Sequence, residues 1–255
     1  MILTIDIGNT NVTLGGYKDD KLSFTARVAT YPSRTADQYA VELNQILLLN
    51  GVNASDIGGA VIGSVVPSVG TAYKRAVRRL CKVEPIVIGS GIKTGLNIRI
   101  DNPAQLGADL VCGAVGAINK YPAPCIIFDL GTATTISVID KDCAMIGGAI
   151  AAGLVTTMDA LATKTAQLPF VDIEAPPKPI GSNTVDCIKS GLILGAAAML
   201  DGIASRFEKQ LGCEATLVAT GGLAEKVVVH CEREIIIDDT LLLDGLLQIY
   251  KKNCK

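Results

Sequence analysis

The chain has 255 residues, of which 49% are hydrophobic and 19% charged, and its formal net charge is −2. This length allows one or two domains with a sizeable core, and the near-neutral charge argues against a nucleic-acid binder. No apolar run reaches the roughly 18 residues that a bilayer span needs, and no signal-like leader is seen, so we expect a cytoplasmic protein without a membrane segment.

The first half of the chain predicts three short strands followed by alternating helices and strands. The strands cover residues 1–7, 12–17 and 21–28, where β-branched or alternating apolar residues are bounded by turn residues. A helix over 35–50 follows, with Thr35 as its N-cap. The rest of this half is a strand over 59–64, a helix over 68–80, a strand over 85–88, a turn-rich connector over 89–103 and a helix over 106–119.

The second half opens in the same way, with a strand over 125–128, a turn and a second strand over 135–139. We therefore predict two duplicated α/β domains, 1–118 and 119–255, each with a mixed sheet covered by helices, and a nucleotide cleft between them. The later elements are a strand over 145–149, helices over 153–165 and 185–211 separated by a proline-rich loop, a strand over 216–219, a short helix over 223–228, a strand over 234–237 and a helix over 241–251.

A motif that occurs twice carries the functional signal. Asp6-Ile7-Gly8-Asn9-Thr10-Asn11 and Asp129-Leu130-Gly131-Thr132-Ala133-Thr134 each follow an apolar strand and lead into another strand. One Asp-x-Gly turn is most often structural. Two of them in matching halves predict a pair of facing turns that hold the phosphates and metal of a nucleotide. The chain contains no G-x-x-x-x-G-K-[ST] motif, which excludes a P-loop kinase, and no G-x-S-x-G elbow.

The first turn has residues suited to phosphate. Gly8 lets the backbone approach closely, and the N–H groups from Gly8 to Asn11 can point at phosphate oxygens. Asn9 and Thr10 add side-chain donors, and Asp6 can hold Mg²⁺ through water, because magnesium keeps much of its hydration shell.

The second turn offers Thr132 in the same way, and Asp129 either binds a cation or hydrogen-bonds its own turn. Thr220-Gly221-Gly222 is a third glycine turn, which suits either an adenine or ribose contact or a tight loop. Asp109 is the candidate general base for an accepting hydroxyl. An Asp in the first turn of a helix most often interacts with the helix dipole, but the small residues beside Asp109 also suit close approach of a substrate.

The remaining reactive and basic residues have structural interpretations. The eight cysteines include no C-x-x-C pair and His230 is the only histidine, so a zinc site is not expected. Cys112 and Cys125 lie in apolar contexts typical of buried thiols, and His230 is expected at the surface. The basic residues between Lys74 and Arg79 have the spacing of a solvated helix face.

With these motifs the chain resembles the type III pantothenate kinases, a family of the acetate and sugar kinase, heat-shock chaperone and actin superfamily with ribonuclease-H-like domains. The resemblance extends over essentially the whole chain. It rests on the two Asp-x-Gly turns, on Thr220-Gly221-Gly222 and on Asp101-Asn102-Pro103, Gly107-Ala108-Asp109, Gly147-Gly148-Ala149-Ile150, Thr165-Ala166-Gln167-Leu168-Pro169 and Ile180-Gly181-Ser182-Asn183-Thr184.

The resemblance implies that ATP phosphorylates the primary hydroxyl of pantothenate, the first step toward coenzyme A. It implies Asp109 as proton acceptor, Mg²⁺ near Asp6 and a monovalent cation, K⁺ or NH₄⁺, at Asp129. Thr184 matches a residue that reaches pantothenate from the partner subunit, which implies a homodimer. With the third turn included, the expected ATP-binding residues are Asp6, Gly8, Asn9, Thr10, Asn11, Thr13, Thr132, Gly221 and Gly222, and the expected pantothenate-binding residues are Ile100, Gly107, Ala108, Asp109, Leu110 and Thr184.

Three positions depart from the family pattern: Leu110 replaces an arginine, Ile100 a tyrosine and Ala152 a proline. The first two lie at the pantothenate end, where an arginine would be a charged donor for a carboxylate. The leading hypothesis is an active pantothenate kinase. The alternatives are a nucleotide-binding paralogue with impaired kinase activity or a regulatory accessory role, and a kinase for a different small alcohol.

Overall fold

A computed structural model describes residues 1–254 of the chain. The strands are β1 (Ile2–Ile7), β2 (Asn11–Lys18), β3 (Lys21–Ala29), β4 (Gly59–Ser64), β5 (Ile86–Val87), β6 (Asn97–Ile98), β7 (Cys125–Leu130), β8 (Ala133–Ile139), β9 (Ala144–Ala152), β10 (Thr216–Thr220) and β11 (Ile236–Ile237). The helices are α1 (Ala36–Leu49), α2 (Pro67–Cys81), α3 (Ala108–Lys120), α4 (Leu154–Lys164), α5 (Thr184–Leu211), α6 (Ala224–Val228) and α7 (Leu241–Asn253).

The chain divides into two compact units. The first comprises Met1–Leu96, Asp101–Asn119 and the segment that begins at Leu241, and the second comprises Asn97–Ile100 and Lys120–Thr240. This division differs from a boundary at residue 118 in two segments. The C-terminal helix α7 belongs to the first unit, and β6 pairs with β9 of the second.

The sheet of the first unit has the strand order β3-β2-β1-β4-β5. Strand β1 pairs antiparallel with β2 and parallel with β4, so Asp6 lies between Thr13 on one side and Gly63 on the other. The sheet is therefore mixed, as the sequence predicts.

The sheet of the second unit repeats this arrangement. Its order is β11-β10-β7-β8-β9-β6, and β7 pairs antiparallel with β8 and parallel with β10. In the order β9-β8-β7-β10-β11, the strands of the second sheet correspond one by one to β3-β2-β1-β4-β5 of the first. Asp129 then has Thr135 and Thr220 as its neighbours, in the places that Thr13 and Gly63 take beside Asp6. The predicted duplication of the α/β pattern is confirmed at the level of strand order.

Alternation along β1 decides which helices cover which face of the first sheet. Leu3, Ile5 and Ile7 point into a core shared with α1 and α2. The opposite face is covered by α3 and α7, whose residues form a second core with Val61 and Tyr17. Asp6 alternates with Ile5 and Ile7, so its carboxylate lies on the α3 and α7 side.

Helix α7 fixes the position of α3 by close backbone packing. A Cβ at Gly245 would overlap the carbonyl oxygen of Cys112, and one at Gly116 would overlap the carbonyl oxygen of Leu241. Glycine on both helices lets their backbones touch. The helix that carries Asp109 is thereby held against the first unit along its length.

In the second unit, Ile126, Phe128 and Leu130 of β7 pack against α5 and its neighbours. Within residues 1–254, α5 is the one helix whose length and composition would allow it to cross a membrane. The sequence analysis predicted no such segment. Its residues Ile193, Ala197 and Leu200 belong to the buried core. Core helices meet the same criterion, so this is weak evidence for a membrane span.

The predicted elements are present with shifts of one to three residues at their ends. Thr35 is the N-cap of α1. Asn183 is the N-cap of α5, and its side-chain oxygen accepts the Asp186 N–H at 3.0 Å. One strand was missed: β6 lies inside the segment predicted as a connector. Its two residues are ordered by pairing with β9, which no local pattern reports.

Candidate functional site

The first Asp-x-Gly turn joins β1 to β2. The Gly8 N–H donates to the Asn11 carbonyl at 2.9 Å, which closes the turn. Asn9 and Thr10 at its tip are exposed, while Asp6, Asn11 and Thr13 are half-buried. The predicted first-turn residues are thus contiguous on one edge of the first sheet, with polar groups at the surface.

Thr30, which follows β3, holds this turn from outside. Its hydroxyl donates to the Gly8 carbonyl at 2.8 Å, and its N–H donates to the Thr10 carbonyl at 2.9 Å. Thr30 was not among the predicted site residues. The β2–β3 register, which pairs Asn11 with Ala29, is what brings it beside the turn.

Asp109 is the second residue of α3, and its Oδ1 accepts the Leu110 N–H at 2.8 Å. A Cβ at Gly107 would overlap this same oxygen, so glycine leaves the room that the carboxylate occupies. Val65 also lies beside Gly107, and its N–H donates to the Ile7 carbonyl at 3.0 Å. The start of α3 is therefore adjacent to the loop that adjoins the end of β1.

The fully buried thiol of Cys112 relates Asp6 to Asp109. Burial raises the pKa of Cys112 well above its ordinary value, and the nearby carboxylates of Asp6 and Asp109 raise it further. A Cβ at Gly63 would lie 3.4 Å from the Cys112 sulfur and 3.8 Å from Asp6 Oδ1. The predicted magnesium residue and the predicted base therefore lie near the same buried thiol in the first unit.

The second Asp-x-Gly turn joins β7 to β8, with the Gly131 N–H donating to the Ala133 carbonyl at 3.0 Å. The Thr132 carbonyl accepts the Thr156 hydroxyl at 2.7 Å and the Gly153 N–H at 3.2 Å. Both donors belong to the start of α4. The turn is therefore held by the N-terminus of a helix.

The third glycine turn lies against the second. A Cβ at Gly221 would lie 2.6 Å from Asp129 Oδ1 and 2.8 Å from the Leu130 backbone, and Gly221 has a φ of +93°. Because Thr220 pairs with Asp129 as Gly63 pairs with Asp6, this turn is the counterpart of the segment that follows β4. The sequence showed no repeat there, since the two segments share no residue pattern.

The other predicted acceptor residues are distributed over both units. Gly107, Ala108 and Leu110 surround Asp109 in the first unit, whereas Ile100 belongs to the second. Thr184 is the exposed first residue of α5 in the second unit.

Within residues 1–254 no group of three or more His, Cys, Asp or Glu side chains could hold a metal ion. Magnesium in a kinase usually binds through one or two carboxylates and the substrate phosphates. Asp6, at the end of β1 beside a phosphate-type turn, fits that ligand set. Cys112 and Cys125 are buried free thiols and His230 is exposed, as predicted, and Cys81 is a further buried free thiol.

Known proteins are similar to this chain over most of its length. A family model described as type III pantothenate kinase matches residues 2–206. A relative named type III pantothenate kinase, from Halalkalibacterium halodurans, is 41% identical over 253 residues, which cover 99% of this chain and 100% of the relative. The chain belongs to the type III pantothenate kinase family. The members of this family are nucleotide-dependent phosphotransferases. The family resemblance that the motifs indicated is therefore confirmed.

Solved structures show the fold of this pantothenate kinase family member. A protein from Campylobacter jejuni described as a Baf family transcriptional activator has a TM-score of 0.65 at 16% identity, covering 99% of this chain and 98% of that one. Component A of (R)-2-hydroxyglutaryl-CoA dehydratase from Acidaminococcus fermentans has a TM-score of 0.59 at 18% identity, covering 100% and 99%. These likenesses, together with the two mixed sheets, confirm the predicted α/β fold.

Proposed function

We propose that this chain transfers the γ-phosphoryl group of ATP to the primary hydroxyl of pantothenate, giving 4′-phosphopantothenate for coenzyme A biosynthesis. Family membership supports this reaction. The observation that carries it is that Asp109 lies three residues before Cys112 on α3, while Asp6 Oδ1 and the Cys112 sulfur both lie beside Gly63. The turn proposed to bind phosphate is therefore near the candidate base. A pair of that kind is what transfer from a nucleotide to an alcohol requires.

Phosphoryl transfer depends on positioning and on charge stabilisation. Asp109 accepts the hydroxyl proton as the pantothenate oxygen attacks the γ-phosphorus, and the bond from that phosphorus to the β–γ bridging oxygen breaks to release ADP. Its Oδ1 is oriented by the Leu110 N–H and has the space left by Gly107. Magnesium, held through Asp6, supplies neutralisation of phosphate charge when bound.

The nucleotide contacts are proposed from the three turns. The first turn offers backbone N–H groups and the polar side chains around Asn9 and Thr10, which are exposed to solvent. Thr132 does the same in the second turn, and Gly221 and Gly222 provide flat backbone beside it. Asp129 is proposed to hold the monovalent cation, K⁺ or NH₄⁺. The whole proposed set for ATP is Asp6, Gly8, Asn9, Thr10, Asn11, Thr13, Thr132, Gly221 and Gly222.

The acceptor contacts are proposed to come from Gly107 to Leu110, from Ile100 and from Thr184. Thr184 is proposed to act on the substrate of a partner subunit, in a homodimer. Helix α5 supports this, because Gly191 and Gly195 are exposed with open space at the position of a Cβ. Only 33% of the most apolar 18-residue stretch of α5 is buried within one chain, which leaves apolar surface for a partner subunit. Sedimentation velocity measures the assembly: the mass of one chain at working concentration would exclude the dimer.

The free thiols and the family's metabolic role support a cytosolic location for the enzyme.

The test is a coupled assay of ATP consumption with pantothenate, Mg²⁺ and K⁺. We expect Asp109→Asn to lower kcat by about 10²–10⁴-fold, the usual contribution of a general base, with nucleotide binding retained. Asp37→Asn is the matched control, since Asp37 also lies in the first turn of a helix of the first unit and is exposed. Equal turnover by wild type and Asp109→Asn would reject the mechanism.

A second candidate is a nucleotide-binding paralogue with impaired kinase activity or a regulatory accessory role. It is favoured by Leu110 and Ile100, which supply neither charge nor hydroxyl for an acid substrate. If only the acceptor site has changed, Leu110→Arg combined with Ile100→Tyr should lower the KM for pantothenate or restore turnover. A screen of small hydroxylated acids and amides separates both cases from a kinase for another alcohol.

A further inference from the structure

Both phosphate-type turns are held by a threonine from outside the turn. In the first unit the Thr30 hydroxyl donates to the Gly8 carbonyl at 2.8 Å. In the second the Thr156 hydroxyl donates to the Thr132 carbonyl at 2.7 Å. The two threonines lie 22 and 24 residues from the carbonyls that they bind, on unrelated elements, the end of β3 and the first turn of α4.

In each turn a backbone N–H supports the hydroxyl. The Thr30 N–H donates to the Thr10 carbonyl at 2.9 Å, and the Gly153 N–H donates to the Thr132 carbonyl at 3.2 Å. Each of the two Asp-x-Gly turns thus has a side-chain donor and a main-chain donor directed at its carbonyl oxygens. The same result is reached with a strand in one unit and a helix in the other.

The orientation of a carbonyl decides what the turn presents to an anion. A trans peptide is planar, and its C=O and N–H point in opposite directions. Fixing the Gly8 carbonyl toward Thr30 therefore directs the Asn9 N–H to the other side. Fixing the Thr132 carbonyl toward Thr156 directs the Ala133 N–H away in the same manner. A carbonyl oxygen turned toward a phosphate would repel it, whereas an N–H attracts it.

We propose that Thr30 and Thr156 are positioning residues for the nucleotide, which hold turn carbonyls away from the phosphates and set the direction of the adjoining N–H groups. This inference rests on the proposed ATP-binding role of the turns and adds two residues to it. Neither threonine is proposed to contact ATP.

Threonine hydroxyls often bond carbonyls without any role in binding. Helix α4 has such cases in Thr157 and Thr163, whose hydroxyls donate to the carbonyls of Gly153 and Asp159 four residues earlier, at 3.0 and 2.7 Å. These bonds stay within one helix. Thr163 is exposed and serves as the matched control, because Thr163→Val removes the same hydroxyl from the same helix as Thr156→Val.

The experiment compares Thr30→Val, Thr156→Val, Thr30→Ser and Thr163→Val. Valine keeps the shape and removes the hydroxyl, while serine keeps the hydroxyl. We expect the KM for ATP and the ADP dissociation constant from calorimetry to rise about fivefold to tenfold in each of the first two variants. The KM for pantothenate should stay within twofold, and Thr30→Ser and Thr163→Val should match wild type.

Unchanged ADP affinity in Thr30→Val and Thr156→Val, with an active wild-type enzyme, would overturn the inference and leave the proposed function intact. A loss in Thr30→Val that Thr30→Ser does not repair, accompanied by a lower urea midpoint, would assign Thr30 a merely structural role and overturn it as well. Absence of both ADP binding and turnover in the wild type would overturn the inference together with the proposed function.

Discussion

Gly221→Ala tests whether the third glycine turn must lie in contact with the second. The new Cβ would lie 2.6 Å from Asp129 Oδ1 and 2.8 Å from both N and C of Leu130. The carboxylate can rotate aside, but the Leu130 backbone is held in β7 by its pairing with Thr134 of β8. The strain therefore has to displace one of the two turns.

The magnitude has two parts. A φ of +93° is unfavourable for alanine, at about 1–2 kcal/mol. Forcing a methyl group into a packed position adds about 1–3 kcal/mol. We expect the unfolding free energy to fall by about 3 kcal/mol in total, and kcat/KM for ATP to fall about 10–100-fold, because displacements near 1 Å are that costly to positioning.

Gly212→Ala separates the two parts. Gly212 ends α5 with a φ of +74°, and a Cβ there would meet nothing within 4 Å. It should lose only about 1 kcal/mol and keep normal ATP kinetics. Urea denaturation and the coupled assay measure both variants. If Gly221→Ala is no more destabilised than Gly212→Ala and its KM for ATP is unchanged, the close contact of Gly221 with Asp129 and Leu130 is not needed for ATP binding.

Two further predictions concern ionisable groups away from the turns. Burial raises the pKa of Asp238, but hydrogen bonds, including that from Lys120 at 2.6 Å, outweigh burial and leave the pKa lowered. The ionised Asp238 carboxylate therefore stabilises the folded protein fully above about pH 4. This stabilisation is lost as the pH falls through the pKa that Asp238 has in the folded protein. Asp238→Asn should lose about 2 kcal/mol at pH 7, and its urea midpoint should change less between pH 6 and 3 than that of wild type; parallel curves would contradict this. Burial raises the pKa of Cys81 and Cys125 to about 11, so neither should react with a thiol reagent at pH 8 in the native enzyme, while exposed Cys143 should, as mass spectrometry of labelled peptides can determine.

Local patterns could predict the elements but not all of their partners. The apolar face of α7 is evident from the sequence, yet nothing in it states that α7 packs on the first sheet. The structure shows that Gly245 and Gly116 permit close contact between α7 and α3. Strand β6 was missed for a related reason, because two residues become a strand only through pairing with β9.

The residues proposed to act in the site divide in the same way. Asp6, Asp109 and Asp129 were predicted because Asp beside glycine at a strand or helix end has a recognisable chemistry. Thr30 and Thr156 have no such local signal, since a threonine that caps a distant carbonyl looks like any other threonine. Strand register and helix placement were needed to find them.

The amino-acid sequence by itself determined the duplicated strand pattern, the two Asp-x-Gly turns and the kinase family, because turn chemistry and hydrophobic alternation act over a few residues. Only the tertiary structure decided that Asp6 lies near Cys112, on the helix that carries Asp109, and that Gly221 packs against Asp129. Those relations join segments about a hundred residues apart, and packing and strand pairing, not local propensity, bring such segments together.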